Sequence, residues 1–215
     1  MIETAVTAGQ RGVLPEELDA VTLDAYGTLL ELRDPVGALH ELVPEHSRDD
    51  VARAFDAEAH HYAAHAWKTN DAASLAQLHD DCARVFNDAL GSSLSPAEYN
   101  GAMRFGLIGG VADALEALRA RGLVLAVVAN WDFGLHERLG TLGISEFFAS
   151  VVTAGEAGAR KPDPRPFRVA LERIGVAPER ALHVGDDPAS DGDGARAAGL
   201  AFAPAPLGDV VRAWL

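Results

Sequence analysis

The chain has 215 residues, 48% hydrophobic and 23% charged, with a formal net charge of −14. That length fits one globular domain, or one domain with a modest insertion, and it suffices to bury a substantial core. An excess of 32 acidic over 18 basic residues argues against nucleic acid or an anionic membrane as partner, and the single cysteine excludes an intrachain disulfide.

The residue usage fits a reducing cytoplasm. The first 20 residues lack the basic start and apolar stretch of a secretory signal, and no apolar run approaches membrane-spanning length. Cys82 falls in a helical pattern and reads as a small buried apolar residue. The expected partner is a small molecule, and the oligomeric state stays open between monomer and homodimer. In so acidic a chain, any anion site must be assembled locally from a lysine, backbone N–H groups or a metal ion.

Residues 1 to 18 read as an N-terminal extension with one possible helical turn at "LPEEL". From Ala20 to Leu23 an apolar run predicts a buried strand, which ends at Asp24. An aspartate there has a bland explanation, the capping of the next turn.

Residues 34–106 change character. Apolar residues recur at helical spacing in "PVGALHELV", "DDVARAFDAEAHHYAAHAW", "DAASLAQLHDDCARVFNDAL" and "SPAEYNGAMRFG". Ser95-Pro96 with Glu98 marks a helix start. No strand is evident here, so the block reads as a helical insertion between 1–33 and 107–215. Within it, Tyr62 and Trp67 are expected in the block's own core. His60, His61 and His65 are expected on its solvated or cleft face.

Beyond Gly109, strand and helix alternate. "VADALEALRARG" reads as a helix and the valine-rich "LVLAVVAN" as a strand buried on both faces. A helix near 134–142, the strand "FASVVTA", the helix "PRPFRVALERIG", the strand "ALHVGDD" and the helix "DGDGARAAGL" follow. The pattern predicts an α/β fold, a Rossmann-like parallel sheet with right-handed crossovers. The tail "LGDVVRAWL" is apolar enough to pack on the core or on a neighbouring subunit.

Such sheets gather ligands at the carboxyl ends of their strands. Asp24, Asn130 and Asp186 all fall at such ends. Lys161, in "GARKPDPRPF", is a compact cation at a loop entering a helix. Asp186, Asp187, Asp191 and Asp193 crowd into eight positions and repel one another unless a cation lies among them. Magnesium, with its preference for a few carboxylate oxygens plus water and phosphate, suits Asp24, a backbone carbonyl of the first loop and Asp186. Asp191 either supports that ion or holds Lys161.

The order Asp24-x-x-Gly27-Thr28, strand–Asn130, Lys161-Pro162, Gly185-Asp186-x4-Asp191 resembles the haloacid dehalogenase-like hydrolase superfamily, over about 20–33 and 109–202. "LDAYGTLLELRDPVG", "NWDFGL", "KPDPRPF" and "HVGDDPASDGDGARAAG" look most like its subgroup named haloacid dehalogenase-like hydrolase domain-containing protein three. The resemblance implies a Rossmann-like core with an inserted α-helical cap over 34–106. It implies Asp24 as nucleophile and Lys161 as the cation stabilising developing charge, with Tyr26, Thr28 and Asn130 on the substrate side. It also implies Mg2+ on Asp24, the Tyr26 backbone carbonyl, Asp186 and Asp191, with cap hinges near Arg33–Asp34 and Gly106–Gly110.

Two positions depart from that pattern. Phosphatases of the superfamily carry an acid two residues after the nucleophile, where this chain has Tyr26. A phenol with a reference pKa near 10 donates a proton but is a poor base at neutral pH. The second motif ends its strand in Ser or Thr, where this chain has Ala129. Three readings follow. The first is a magnesium-dependent phosphatase of a small phosphorylated metabolite, working through an aspartyl-phosphate. The second is a 2-haloacid dehalogenase, whose leaving halide needs no proton and whose substrate carboxylate would call on Arg53. The third is a weakly active or non-catalytic binding protein.

Overall fold

The computed structural model describes residues 18–213. Most of the expected turn at "LPEEL", like Trp214 and Leu215 of the tail, lies outside them. In chain order the elements are β1 (Ala20–Leu23), β2 (Leu30–Leu32), α1 (Pro35–Leu42), α2 (Arg48–His65), α3 (Ala72–Leu90), α4 (Pro96–Ala102), β3 (Phe105–Leu107), α5 (Val111–Ala120), β4 (Val124–Ala129), α6 (Leu135–Thr141), β5 (Phe148–Thr153), α7 (Ala154–Ala157), α8 (Arg165–Ile174), β6 (Ala181–Gly185), α9 (Asp193–Ala198), β7 (Ala201–Pro204) and α10 (Leu207–Arg212).

Five strands form one parallel sheet in the order β5-β4-β1-β6-β7. β1 lies in the middle, with Ala20 opposite Val124 and Ala181, and Leu23 opposite Val127 and Val184. The α/β expectation therefore holds. Strand alternation divides the apolar side chains between two faces. Val21, Leu23, Val127 and Val184 pack with Leu115 and Leu118 of α5, Leu135 and Leu139 of α6, and Val210 of α10. Ala20, Ala126, Val128 and Val152 pack with Phe167 and Leu171 of α8 and Ala195 of α9.

The apolar tail thus folds back on its own core, through Leu207, Val210 and Val211. Both β7 and α10 escaped the sequence pattern. "AFAP" is short and half-buried, so it carries neither a continuous apolar run nor a clean alternation.

Between β2 and β3, helices α1 to α4 enclose a separate apolar cluster that includes Leu39, Val51, Leu78, Cys82, Phe86 and Tyr99. Cys82 is buried there as expected. Its helices start on side-chain caps. Ser47 accepts from Asp50 N–H, and capping boxes pair Asp71 with Ser74 and Ser95 with Glu98.

One boundary is corrected. The helix expected to run from Ser95 to Gly106 ends at Ala102, and Phe105–Leu107 is a strand antiparallel to Leu30–Leu32. A two-stranded ribbon therefore carries the chain out of the sheet and back. Three residues per strand leave no periodicity to read.

Candidate active site

β1 delivers Asp24 to the carboxyl edge of the sheet, where its N–H continues the ladder to the Val184 carbonyl at 2.9 Å. The chain then turns through Gly27, at φ +78°. A Cβ there would lie 2.1 Å from Asp186 Oδ2, so only glycine lets the first loop pass the Asp186 carboxylate. Gly185 clears a similar path, since its Cβ would lie 2.2 Å from Asp191 Oδ2.

Lys161 reaches this edge from the loop before α8 and is 2% exposed. Its ammonium donates to Asp24 Oδ1 at 2.5 Å, Asp191 Oδ1 at 2.6 Å and the Val128 carbonyl at 2.8 Å. All three of its protons are placed. Asp24, Asp186 and Asp191 bring carboxylate oxygens within 4.8 Å of one another.

One ammonium thus faces three carboxylates. Burial alone would lower the Lys161 pKa, but Asp24 and Asp191 prevail and raise it. Burial pushes Asp24 up, against the pull of Lys161. Asp186 is also pushed up, by burial first and then by the charge of Asp191. For Asp191 burial is outweighed by the His183 hydrogen bond and by Lys161, and its carboxyl is held below the usual range. The residual negative charge suits a divalent cation bound through oxygen. Asp24 Oδ2 and Asp186 are the oxygens best able to hold it, since Asp186 bonds to no other described residue. Asp191 is committed elsewhere: Oδ1 to Lys161 and His183 Nε2, Oδ2 to the Asp187 N–H. Between its two expected roles, the geometry favours holding Lys161.

His183, on β6, is fully buried between Phe167 and Phe202, with Nδ1 on Thr22 Oγ1 at 2.9 Å. Burial lowers its pKa. The sequence reading missed it because a histidine inside an apolar strand looks like core. Its spacing from Asp191, eight residues on, gives no periodic signal.

The remaining expected residues differ in what they face. Asn130 lines the cavity, but its amide is occupied: Oδ1 accepts from Lys161 N–H at 2.7 Å, and Nδ2 donates to the Lys161 carbonyl at 3.0 Å and to Ser190 Oγ at 3.3 Å. It holds the Lys161 loop and is not a free substrate donor. Thr28 is 1% exposed and does not line the cavity, and its hydroxyl finds no partner. Tyr26 is 53% exposed on the cavity wall, with its ring 6.3 Å from Trp131. Its carbonyl takes no part in the turn's backbone bonds, which end on Ala25 and Leu30. Ala129 also lines the cavity.

The cavity is about 880 Å³ and lies between the sheet edge and the helical segment. That volume falls in the usual range of small-molecule sites. His60, His61 and His65 do not line it; His61 and His65 stack on each other at 4.2 Å. Tyr62 packs against the helical cluster as expected and also lines the wall, whereas Trp67, expected in that core, is on the wall instead. The Tyr62 hydroxyl donates to Asp132 Oδ2 at 2.7 Å, linking the helical segment to the sheet edge. Arg53 pairs with Asp50 on the outer face of α2 and does not line the cavity, so it is no candidate for a substrate carboxylate. Among the described residues no helix is long and apolar enough to cross a membrane.

A family model described as haloacid dehalogenase-like hydrolase matches residues 18–199. The chain belongs to this family and is a hydrolase. It is 31% identical to the human protein named haloacid dehalogenase-like hydrolase domain-containing protein 3, over 91% of this chain and 86% of that one. It is 40% identical to a phosphoserine phosphatase of Thermus thermophilus, over 54% of this chain and 51% of that one. Among solved structures, the putative HAD-hydrolase YfnB of Bacillus subtilis superposes with a TM-score of 0.66 at 20% identity, covering 87% of this chain and 88% of that one.

Proposed function

We propose that this hydrolase is a magnesium-dependent phosphatase acting on a small phosphorylated metabolite. The observation that carries the reading is the pairing of Asp24 and Lys161 at the floor of the cavity. One Asp24 oxygen is held by the ammonium and the other is left for substrate or metal. Asp24 is the nucleophile, forming an aspartyl-phosphate that water then hydrolyses. Lys161 neutralises charge that develops on the transferred group, and Asp191 and the Val128 carbonyl fix its direction.

A bound Mg2+ supplies the positive charge that lets an anionic ester approach an anionic nucleophile. The excess of carboxylate over ammonium supports that requirement, with Asp24, Asp186 and the Tyr26 carbonyl as the oxygen set and Asp191 supporting the site from beside Lys161. Residues 34–106 act as a cap that closes over the cavity about Arg33–Asp34 and Gly106–Gly110 and excludes water. The phosphatase name of the Thermus thermophilus relative agrees with this chemistry.

The test is phosphate release from a panel of phosphomonoesters and halide release from 2-haloacids, with Mg2+ and with chelator. The reading expects metal-dependent phosphate release that disappears in Asp24→Asn. Release that survives Asp24→Asn overturns the nucleophile. Metal-independent halide release overturns the phosphatase.

A further inference from the structure

Glu58 lies on α2 at the end of the spacing Val51, Ala54, Glu58, which is the buried stripe of that helix. It is 5% exposed, packed beside the apolar cluster of the helical segment, and it lines the cavity. Among the described residues no lysine, arginine or histidine pairs with it. A buried carboxylate without a cationic partner is costly, and one that faces a cavity is a candidate for meeting a ligand's positive charge.

Its neighbours repeat the pattern. Tyr99, on α4, is 1% exposed and also lines the cavity, and its hydroxyl makes no hydrogen bond of acceptable geometry. Cys82 completes this end. Burial and then the nearby Glu58 carboxylate push both the Cys82 thiol and the Tyr99 phenol upward, so both stay protonated.

The cavity therefore has two polar ends. Lys161 marks one. At the other, the Glu58 carboxylate has the Tyr99 hydroxyl and the Cys82 thiol beside it but no cation among the described residues. Seven carboxylates and three lysine or arginine side chains line the whole. Of those three cations, Lys161 is held by Asp24 and Asp191, and Arg138 lies over the Phe105 ring at 4.7 Å. Arg160 and His79 also line the cavity, but among the described residues neither pairs with Glu58, so a second anionic group on the substrate would meet that carboxylate unneutralised. A cationic group would find a carboxylate, with the aromatic rings of Tyr62 and Tyr99 alongside.

We propose that Glu58 is a specificity-determining residue that binds the ammonium group of the substrate, which is then an aminoalkyl phosphate. The substrate class rests on the phosphatase reading; the ammonium site itself does not. Glu58 accepts N–H bonds from the ammonium, and the Tyr99 hydroxyl supplies a further polar contact. The phosphate end lies toward Asp24 and Lys161.

The experiment compares two esters of equal length, 2-aminoethyl phosphate and propyl phosphate, on the full chain with Mg2+. In parallel, calorimetry measures binding of the matching phosphonates, which cannot turn over. Wild type should favour the amino compound by about 10- to 100-fold in kcat/KM, and the phosphonate pair should show the same preference in affinity. In Glu58→Gln, which keeps the side-chain shape, both preferences should fall to near one, chiefly through KM. The Tm of Glu58→Gln should stay level or rise, because a carboxylate with no cationic partner is removed while the amide oxygen can still accept from the Tyr99 hydroxyl.

A preference that persists in Glu58→Gln overturns the proposal, as does a wild-type preference for the propyl compounds. A clear drop in Tm also overturns it, by showing that the fold itself satisfies the carboxylate. If no ester is hydrolysed but the aminophosphonate still binds in a Glu58-dependent way, the phosphatase reading fails and the ammonium site stands.

Discussion

Asn130 clamps Lys161 by its backbone: the side-chain oxygen takes the Lys161 N–H at 2.7 Å, and the side-chain nitrogen gives to the Lys161 carbonyl at 3.0 Å. The end of β4 is thereby fastened to a loop 31 residues later. Asn130→Asp keeps the shape but sets an oxygen against the Lys161 carbonyl. Loosening a positioning contact by about 1 Å can cost ~10²-fold in rate. Asn130→Asp should lower kcat by about 10- to 100-fold with little change in KM, in steady-state kinetics on a phosphomonoester.

Lys161→Met tests the ammonium itself. It should lower kcat by about 10²–10³-fold, the range for loss of one preorganised donor to developing charge. Asp24 and Asp191 would lose their shared cation in a site where Lys161 is 2% exposed. Breaking a buried pair by removing one partner costs ~3–5 kcal/mol. Urea unfolding in chelator should show a destabilisation of that order, which added Mg2+ partly reverses by binding the folded state.

Gly27→Ala addresses the space beside Asp186. The new Cβ would meet Asp186 Oδ2 at 2.1 Å, and φ +78° adds strain of ~1–2 kcal/mol. Asp186 must swing away, so the metal concentration giving half-maximal activity should rise by at least tenfold. The same weakening should appear when Mg2+ binding is measured directly by calorimetry.

Residues fixed by strand ends could be found in the chain, while those fixed by tertiary contact could not. Asp24 and Asp186 follow apolar runs, and a parallel sheet brings such ends together whatever the loops do. Lys161 and Asp191 came from the spacing of their motifs. The duty of Asn130 was hidden because its partner loop is distant in sequence. Thr28 was expected to face the anion, yet it turns into the protein, since one residue in a tight turn gives no sign of its side-chain direction. Glu58 was concealed by type, as an acid in a polar helix reads as solvated. Its spacing from Val51 and Ala54 was the available signal that it shares their buried face. The ribbon of β2 and β3 was too short to show a period.

Tyr26→Asp tests what the departure at this position costs. Tyr26 is half-exposed on the cavity wall, so a shorter acid there adds no burial strain. General acid–base help is worth about 10²–10⁴-fold. The variant should gain up to that factor on alkyl phosphates, whose leaving oxygen needs a proton. It should gain little on p-nitrophenyl phosphate, whose leaving group departs unaided. Equal gains on both esters would show that the aspartate acts by charge or metal binding and not as an acid.

The contact between Tyr62 and Asp132 gives a pH dependence away from the cluster of Asp24, Asp186 and Asp191. Burial first, and then the Asp132 charge, hold the Tyr62 phenol well above its ordinary value. The folded protein keeps that proton where the unfolded chain, with a tyrosine pKa near 10, releases it. Stability from this group is complete below pH ~10 and is lost as pH rises toward the folded value. Above pH ~10 one such tyrosine contributes a slope of about 1.4 kcal/mol per pH unit. Tyr99, also raised by burial and by Glu58, contributes in the same sense. Tyr62→Phe removes the hydrogen bond to Asp132 and should lower stability at pH 8 by about 1–3 kcal/mol. It should also flatten the decline between pH 10 and 11, so the gap between variant and wild type narrows as pH rises. Urea unfolding at pH 8, 9, 10 and 11 measures both effects, and a gap that stays constant would show that Tyr62 ionises in the folded protein as it does in the unfolded chain.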